Sequence, residues 1–134
     1  MSLEEEILRE TRTVAVVGAS PDAGRPSHRV FSYLREQGYR VIPVNPLFSQ
    51  IDGEASYPDL AAIPERVDVV DVFRRSDDVL PVVEQAIGIG AKVVWMQEGV
   101  INESAASRAR EAGLQVVMDK CMRKEHLKMK GISE

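Results

Sequence analysis

Five short apolar runs, rich in valine and spaced along the whole chain, limit the folds open to it. They are Thr13–Gly18 (TVAVVG), Arg40–Val44 (RVIPV), Val67–Phe73 (VDVVDVF), Lys92–Met96 (KVVWM) and Leu114–Met118 (LQVVM). Near-continuous valine without polar alternation belongs to strands buried on both faces, and such sheets are parallel. Parallel strands need crossovers, usually helical. Helical spacing fills most of the gaps: Leu3–Arg12, Ser27–Gln37, Asp77–Ile89, Asn102–Ala112 and Met122–Met129. Val30, Phe31 and Leu34 make one apolar stripe, Asn102 suits an N-cap, and Gly38 and Gly113 suit C-caps. In the last helix Lys124, Lys128 and Lys130 are expected towards the negative end. Right-handed crossovers then predict an α/β fold: a doubly wound, five-stranded parallel sheet with helices on both faces and strand order 3-2-1-4-5. Asp68 and Asp71 are expected near the ends of the third strand or in polar contacts. Ser49–Pro58 is expected to be a surface loop.

A chain of 134 residues fits one domain, 1–134, with little room for a second, catalytic one. A net charge of −4 argues against a nucleic-acid partner held by general phosphate attraction. No apolar run approaches the roughly 20 residues needed to span a bilayer, so no membrane partner is expected. Glu4, Glu5 and Glu6 are the opposite of a basic secretory leader. Cys121 is the sole cysteine, which excludes an internal disulfide and suits a reducing compartment. The expected location is the cytoplasm.

Ligands of doubly wound sheets sit outside the carboxyl ends of the strands. The first strand leaves through Gly18-Ala19-Ser20-Pro21-Asp22-Ala23-Gly24-Arg25-Pro26-Ser27, a glycine-bounded loop feeding a helix. The unpaired amides of that first turn form an anion site, and Arg25 adds a full charge beside it, with Arg29 one turn on. Read alone, the loop is either a phosphate site or a turn whose glycines serve backbone geometry. It is not the dinucleotide fingerprint, because Ser20 and Ala23 stand where glycines would, and it lacks the lysine of a P-loop. The second strand ends in Val44-Asn45-Pro46, without the carboxylate that dinucleotide folds aim at the ribose. Pro43 within that run marks a strand end or a bulge.

Taken in order, Val14–Ser20 (VAVVGAS), Gly38–Pro46 (GYRVIPVNP), Asp68–Arg74 (DVVDVFR), Val93–Val100 (VVWMQEGV) and Val116–Cys121 (VVMDKC) resemble the small bacterial coenzyme A-binding proteins. These are similar to the N-terminal domain of the succinyl-CoA synthetase α-subunit standing alone. The resemblance runs from about Thr13 to about His126 and implies a Rossmann-like fold with coenzyme A, or an acyl-CoA, as ligand. It implies that the first loop receives phosphates, here Gly18, Ala19, Ser20, Arg25 and Ser27. Val44, Asn45 and Pro46 would contribute after the second strand, a neutral Asn45 being compatible with a phosphorylated ribose. Val72, Phe73 and Arg74 would line the adenine region, and Gln97, Glu98 and Gly99 would close the site near the pantetheine arm. The small members usually carry leucine between the residues matching Gln97 and Gly99. This chain has Glu98, as the synthetase domain does.

The synthetases work through a phosphohistidine held on a different domain, which this chain lacks. No G-x-S-x-G elbow is present and no histidine falls in a strand-end loop. His28 and His126 are expected in surface or packing roles, Trp95 in the core, Asp119 and Lys120 as a solvated ion pair, and Cys121 as a packed thiol; no metal-ligand cluster is visible. The expected function is binding without catalysis, with a protein partner or homo-oligomer as a further possibility. Two alternatives stand beside it: a subunit of an acyl-CoA synthetase that needs a partner chain, and an NAD(P)-binding redox sensor.

Overall fold

Valine's branched Cβ packs well on a pleated surface, and in the computed structural model, which describes residues 1–132, the valine runs become the sheet. The element order is α1 (Leu3–Glu10), β1 (Thr13–Val17), α2 (Pro26–Glu36), β2 (Arg40–Val44), β3 (Gln50–Ile51), β4 (Glu54–Ala55), β5 (Val69–Val72), α3 (Val79–Gly88), β6 (Val93–Met96), α4 (Glu103–Glu111), β7 (Gln115–Val117) and α5 (Met122–Met129). Single 3₁₀ turns occupy Leu60–Ala62 and Ser76–Asp78. The last two positions of the expected domain lie outside the described residues.

The fold is the expected α/β, Rossmann-like arrangement of five parallel strands, but the order is β2-β1-β5-β6-β7. Numbered by the five apolar runs this is 2-1-3-4-5, which corrects the expected 3-2-1-4-5. Pro43 supplies the reason. Val44 faces β1, its carbonyl taking the Gly18 N–H, so the backbone of Pro43 faces outward, where its carbonyl accepts the Tyr57 N–H at 3.1 Å. Proline has no N–H to offer an outer neighbour, so β2 suits an edge. A single bridge at Tyr57, completed by the Asn45 N–H donating to the Tyr57 carbonyl at 2.9 Å, covers that edge. The third run therefore crosses back over β1 and pairs on its other side, Val14 opposite Val69 and Val17 opposite Val72. The winding reverses between β1 and β5, and the crevice at their carboxyl ends is the switch point.

Two cores flank the sheet, and period-two alternation assigns each strand residue to one of them. Ala15, Val17, Val70, Val72, Val94 and Met96 face α3 and α4, where Val83, Ala86, Ala105 and Ala109 are fully buried. Val14, Val16, Val69 and Trp95 face α1, α2 and α5, against Ile7, Phe31, Leu34 and Met122. Trp95 is in the core as expected, its Nε1 donating to the Lys120 carbonyl at 2.8 Å. The stretch expected as a plain loop, Ser49–Pro58, contains the β3–β4 hairpin with Ile51 buried. Strands of two residues are too short to leave a periodic signature.

Candidate functional site

The chain leaves β1 through Gly18, whose φ of +88° and close packing both require glycine. A Cβ there would overlap the Phe73 carbonyl oxygen and lie 3.1 Å from the Arg74 guanidinium, so Arg74 rests directly on the loop at the switch point. Ser20 Oγ accepts the Asp22 N–H and Asp22 Oδ1 accepts the Gly24 N–H, folding the loop on itself. Arg25 caps α2 in an extended conformation, its side chain 70% exposed and 3.9 Å from the Asp22 carboxylate. Pro26 begins the helix with its φ preset. Ala19 and Ser27 are buried beneath the loop. The helix start thus presents amides, the positive dipole end and Arg25 on one side.

Asn45 lies across β1 from that cluster. Its Nδ2 donates to the Ala19 carbonyl at 2.8 Å and its Oδ1 accepts the Leu47 N–H at 2.9 Å, so both ends of the amide tie the two loops together. Val44 and Val72 point into the α3/α4 core and can reach a ligand only through their backbone; Pro46 is exposed.

A cleft of about 400 Å³ opens between the first turns of α2 and α5 and the ends of β5 and β6. Val30, Phe73 and Val100 form its apolar walls, with Arg29 at the α2 side. Gln97 is buried at the cleft wall, where its Oε1 accepts the Met122 N–H at 3.1 Å and stitches β6 to α5. Glu98 lines the mouth and holds the Lys124 ammonium at 3.0 Å. Gly99, at φ +82°, donates its N–H to Asp119 Oδ1 at 2.7 Å and accepts from Ser76 Oγ. Asp119 is thus a loop anchor, and Lys120 pairs with Glu4 at 2.7 Å, rather than the two forming one ion pair. Of the sequence-chosen residues the cleft gathers Phe73, Gln97 and Glu98. Gly18, Ala19, Ser20, Arg25 and Arg74 gather around the adjoining loop.

Reading the sequence missed the α5 wall: Cys121, Arg123 and Lys124. Lys124 lies in the first turn of α5, not towards its negative end as expected. Cations at a positive helix end are a local conflict, and that was the available signal, since such conflicts tend to mark functional positions. Cys121 is 7% exposed on this wall. The histidines lie elsewhere, in packing or surface roles. His28 pairs with Asp52 at 2.6 Å. His126 Nδ1 shares a hydrogen bond with the Tyr33 hydroxyl at 2.7 Å, and burial, then Lys130, pushes its pKa down.

Inside the sheet, Asp71 departs from expectation. It sits mid-strand between Val16 and Trp95, fully buried, and among the described residues neither carboxyl oxygen has a hydrogen-bond partner. Burial pushes its pKa well above the usual 3.8.

The coenzyme A-binding domain family profile matches residues 12–127. The chain belongs to that family. It is 38% identical over 122 residues to the uncharacterized protein YneT of Bacillus subtilis (strain 168), covering 91% of this chain and 90% of the relative. A hypothetical protein from Pyrococcus horikoshii OT3 superposes with a TM-score of 0.93 at 43% identity, over 96% of this chain and 90% of that one. The ADP-forming acetate–CoA ligase I of Archaeoglobus fulgidus is 27% identical over 121 residues. The match takes in 83% of this chain but spans only 18% of the ligase. This family member is thus homologous to a domain of acyl-CoA synthetases. No helix of its described residues is long and apolar enough to cross a membrane.

Proposed function

We propose that the chain binds coenzyme A, or an acyl-CoA, and catalyses nothing by itself. The observation that carries this reading is the placement of the cleft. In a member of the coenzyme A-binding family, it opens beside the switch point, next to a glycine loop flanked by Arg25 and Arg74. The phosphates lie over the Gly18–Ser27 loop, and the adenine lies near Phe73 and the ends of β2 and β5. The pantetheine arm enters the cleft between Val30, Phe73 and Val100 towards Gln97–Val100. Neutral Asn45, already committed to the fold, offers no carboxylate to repel a phosphorylated ribose. A charge-assisted phosphate contact contributes roughly 1.5–3 kcal/mol, so loss of one should weaken binding by roughly 10- to 100-fold. Neither His28 nor His126 is among the residues lining the cleft. The protein is a cytoplasmic binding module.

A second reading, one subunit of a two-chain acyl-CoA synthetase, is favoured by the ligase of which this chain matches one part. Calorimetric titration of ligand-stripped protein with coenzyme A, NAD and ATP separates the possibilities. Saturable micromolar binding of coenzyme A alone is expected. Binding of NAD instead, or turnover of an acyl-CoA by the purified chain, would overturn the proposal.

A further inference from the structure

Gln97 is the one side-chain amide among the described residues lining the cleft, and half of it is uncommitted. The residue is only 4% exposed. Its Oε1 accepts the Met122 N–H at 3.1 Å. A backbone N–H can only donate, so the amide cannot sit the other way round. Its Nε2 therefore carries two N–H donors, and these have no hydrogen-bond partner among the described residues. That nitrogen is not sealed from solvent, and the solvent it meets is that of the cleft. Around it the deep part of the cleft has little polarity: Val30, Val100 and Cys121 are buried, whereas Arg29, Glu98 and Lys124 are exposed at the rim. The charged part of a ligand suits the rim, and the far end of an arm that enters there reaches the amide.

We propose that Gln97 reads the thioester carbonyl of an acyl-CoA, so that the cleft prefers the acylated cofactor to the free thiol. This rests on the reading that the pantetheine arm occupies the cleft. An arm that fills the cleft excludes water from Nε2, and a donor left without an acceptor in such a wall is costly. Sulfur is a weak acceptor, so a free thiol at the end of the arm meets that need poorly. A thioester puts a carbonyl oxygen at the same place, and its acyl carbons meet Val30 and Val100. The two amide carbonyls of the arm lie nearer the phosphates, on the rim side. A site built to hydrogen-bond one ligand group rejects the analogue that lacks it, because its own polar atom is then left unpaired. Gln97 is thereby a specificity-determining residue, held in register by its bond to Met122.

The test is calorimetric titration with coenzyme A, acetyl-CoA and S-ethyl-CoA, the thioether that matches acetyl-CoA in size but has no carbonyl. The wild type is expected to bind acetyl-CoA about 5-fold more tightly than either of the others, the scale of one neutral hydrogen bond. Gln97→Glu keeps an oxygen for the Met122 N–H at the positive end of α5, where a carboxylate is favoured, and loses both donors. It should remove the acetyl preference, and Gln97→Met, apolar and of similar size, should do the same. Equal binding of acetyl-CoA and S-ethyl-CoA by the wild type overturns the proposal, whether or not a variant folds. So does an acetyl preference that the variants leave unchanged, including one that persists while all three probes weaken alike, which would set the amide on a carbonyl that the three share. In both cases coenzyme A binding by the wild type survives. Failure of the wild type to bind any of the three overturns the underlying reading and the carbonyl contact with it.

Discussion

Asp68 and Asp71 stand on the same stretch of chain, one just before β5 and one inside it, and the fold treats them in opposite ways. Asp68 lies at the amino end of the sheet with its side chain 15% exposed. Its Oδ2 accepts the N–H groups of Arg12 and Thr13, both at 3.0 Å, and Lys92 Nζ stands 3.7 Å from Oδ1. Burial raises its pKa, but those two N–H groups and Lys92 outweigh burial and hold it below the usual 3.8. Asp71 has the same side chain and none of these partners. One carboxyl is a pin that fastens the start of β1 to the start of β5. The other is sealed between Val16 and Trp95, where burial raises its pKa. The difference teaches that the same side chain is an anchor where the start of a neighbouring strand offers it N–H groups and a cost where the interior of the sheet offers none. Proteins commonly tolerate such local costs near functional sites.

The sharpest way to break this comparison is to remove the cost. Asp71→Val puts a strand-favouring apolar side chain between Val16 and Trp95. It should raise unfolding stability by about 1–3 kcal/mol at neutral pH, the scale of an unsatisfied buried polar group. The sign of the pH dependence follows from the raised pKa. The contribution of Asp71 is fully present below 3.8 and is lost as pH rises through the raised value, so the advantage of valine should grow from about pH 4 upward. Urea midpoints across that range measure it. A destabilised Asp71→Val would mean that the acid has a partner or a bound water essential to the core.

The opposite change removes the pin. Asp68→Ala leaves the exposed Arg12 N–H and the partly buried Thr13 N–H without their charged acceptor and frees Lys92. It should lower stability by about 1–2 kcal/mol, and amide exchange at Thr13 should accelerate. Unchanged exchange there would show that water replaces the carboxylate at no cost, and the contrast between the two aspartates would collapse to burial alone.

How far the sequence revealed this arrangement depended on whether each signal was local. The five valine runs, the Asn102 cap and the glycine turn at Gly18 are local, and all were legible. Strand order was not, because it depends on which edge of β2 can accept a neighbour. The one pertinent signal, the missing N–H of Pro43, fits a strand end or a bulge as well as an edge. The loop half of the candidate site, Gly18 to Arg25 with Arg74, could be read from strand ends. The α5 half could not: Cys121 and Lys124 reach the cleft only when the last helix folds back beside Gln97. Asp71 escaped for a different reason. Nothing in VDVVDVF distinguishes its two acids, and only the register with Val16 and Trp95 shows that the second is sealed in.

The smallest effect concerns the acid limb of Asp68. Its pKa is lowered in the folded chain, so the stability it contributes is present above 3.8 and is lost as pH falls through the folded value. The deficit of Asp68→Ala should therefore shrink as pH drops below about 4, the wild-type and variant curves converging from above. The advantage of Asp71→Val should instead fade as pH drops towards 4 and below, because the raised pKa of Asp71 costs stability only where the unfolded chain's carboxyl ionises. Lys92 is 67% exposed, so salt screens its share of the effect while the two N–H bonds persist. Repeating the acid titration in high salt should leave most of the Asp68 deficit in place. If salt abolishes it, the pin is an ion pair with Lys92 rather than an acceptor for the start of β1, and the two aspartates differ in charge partner rather than in hydrogen bonding.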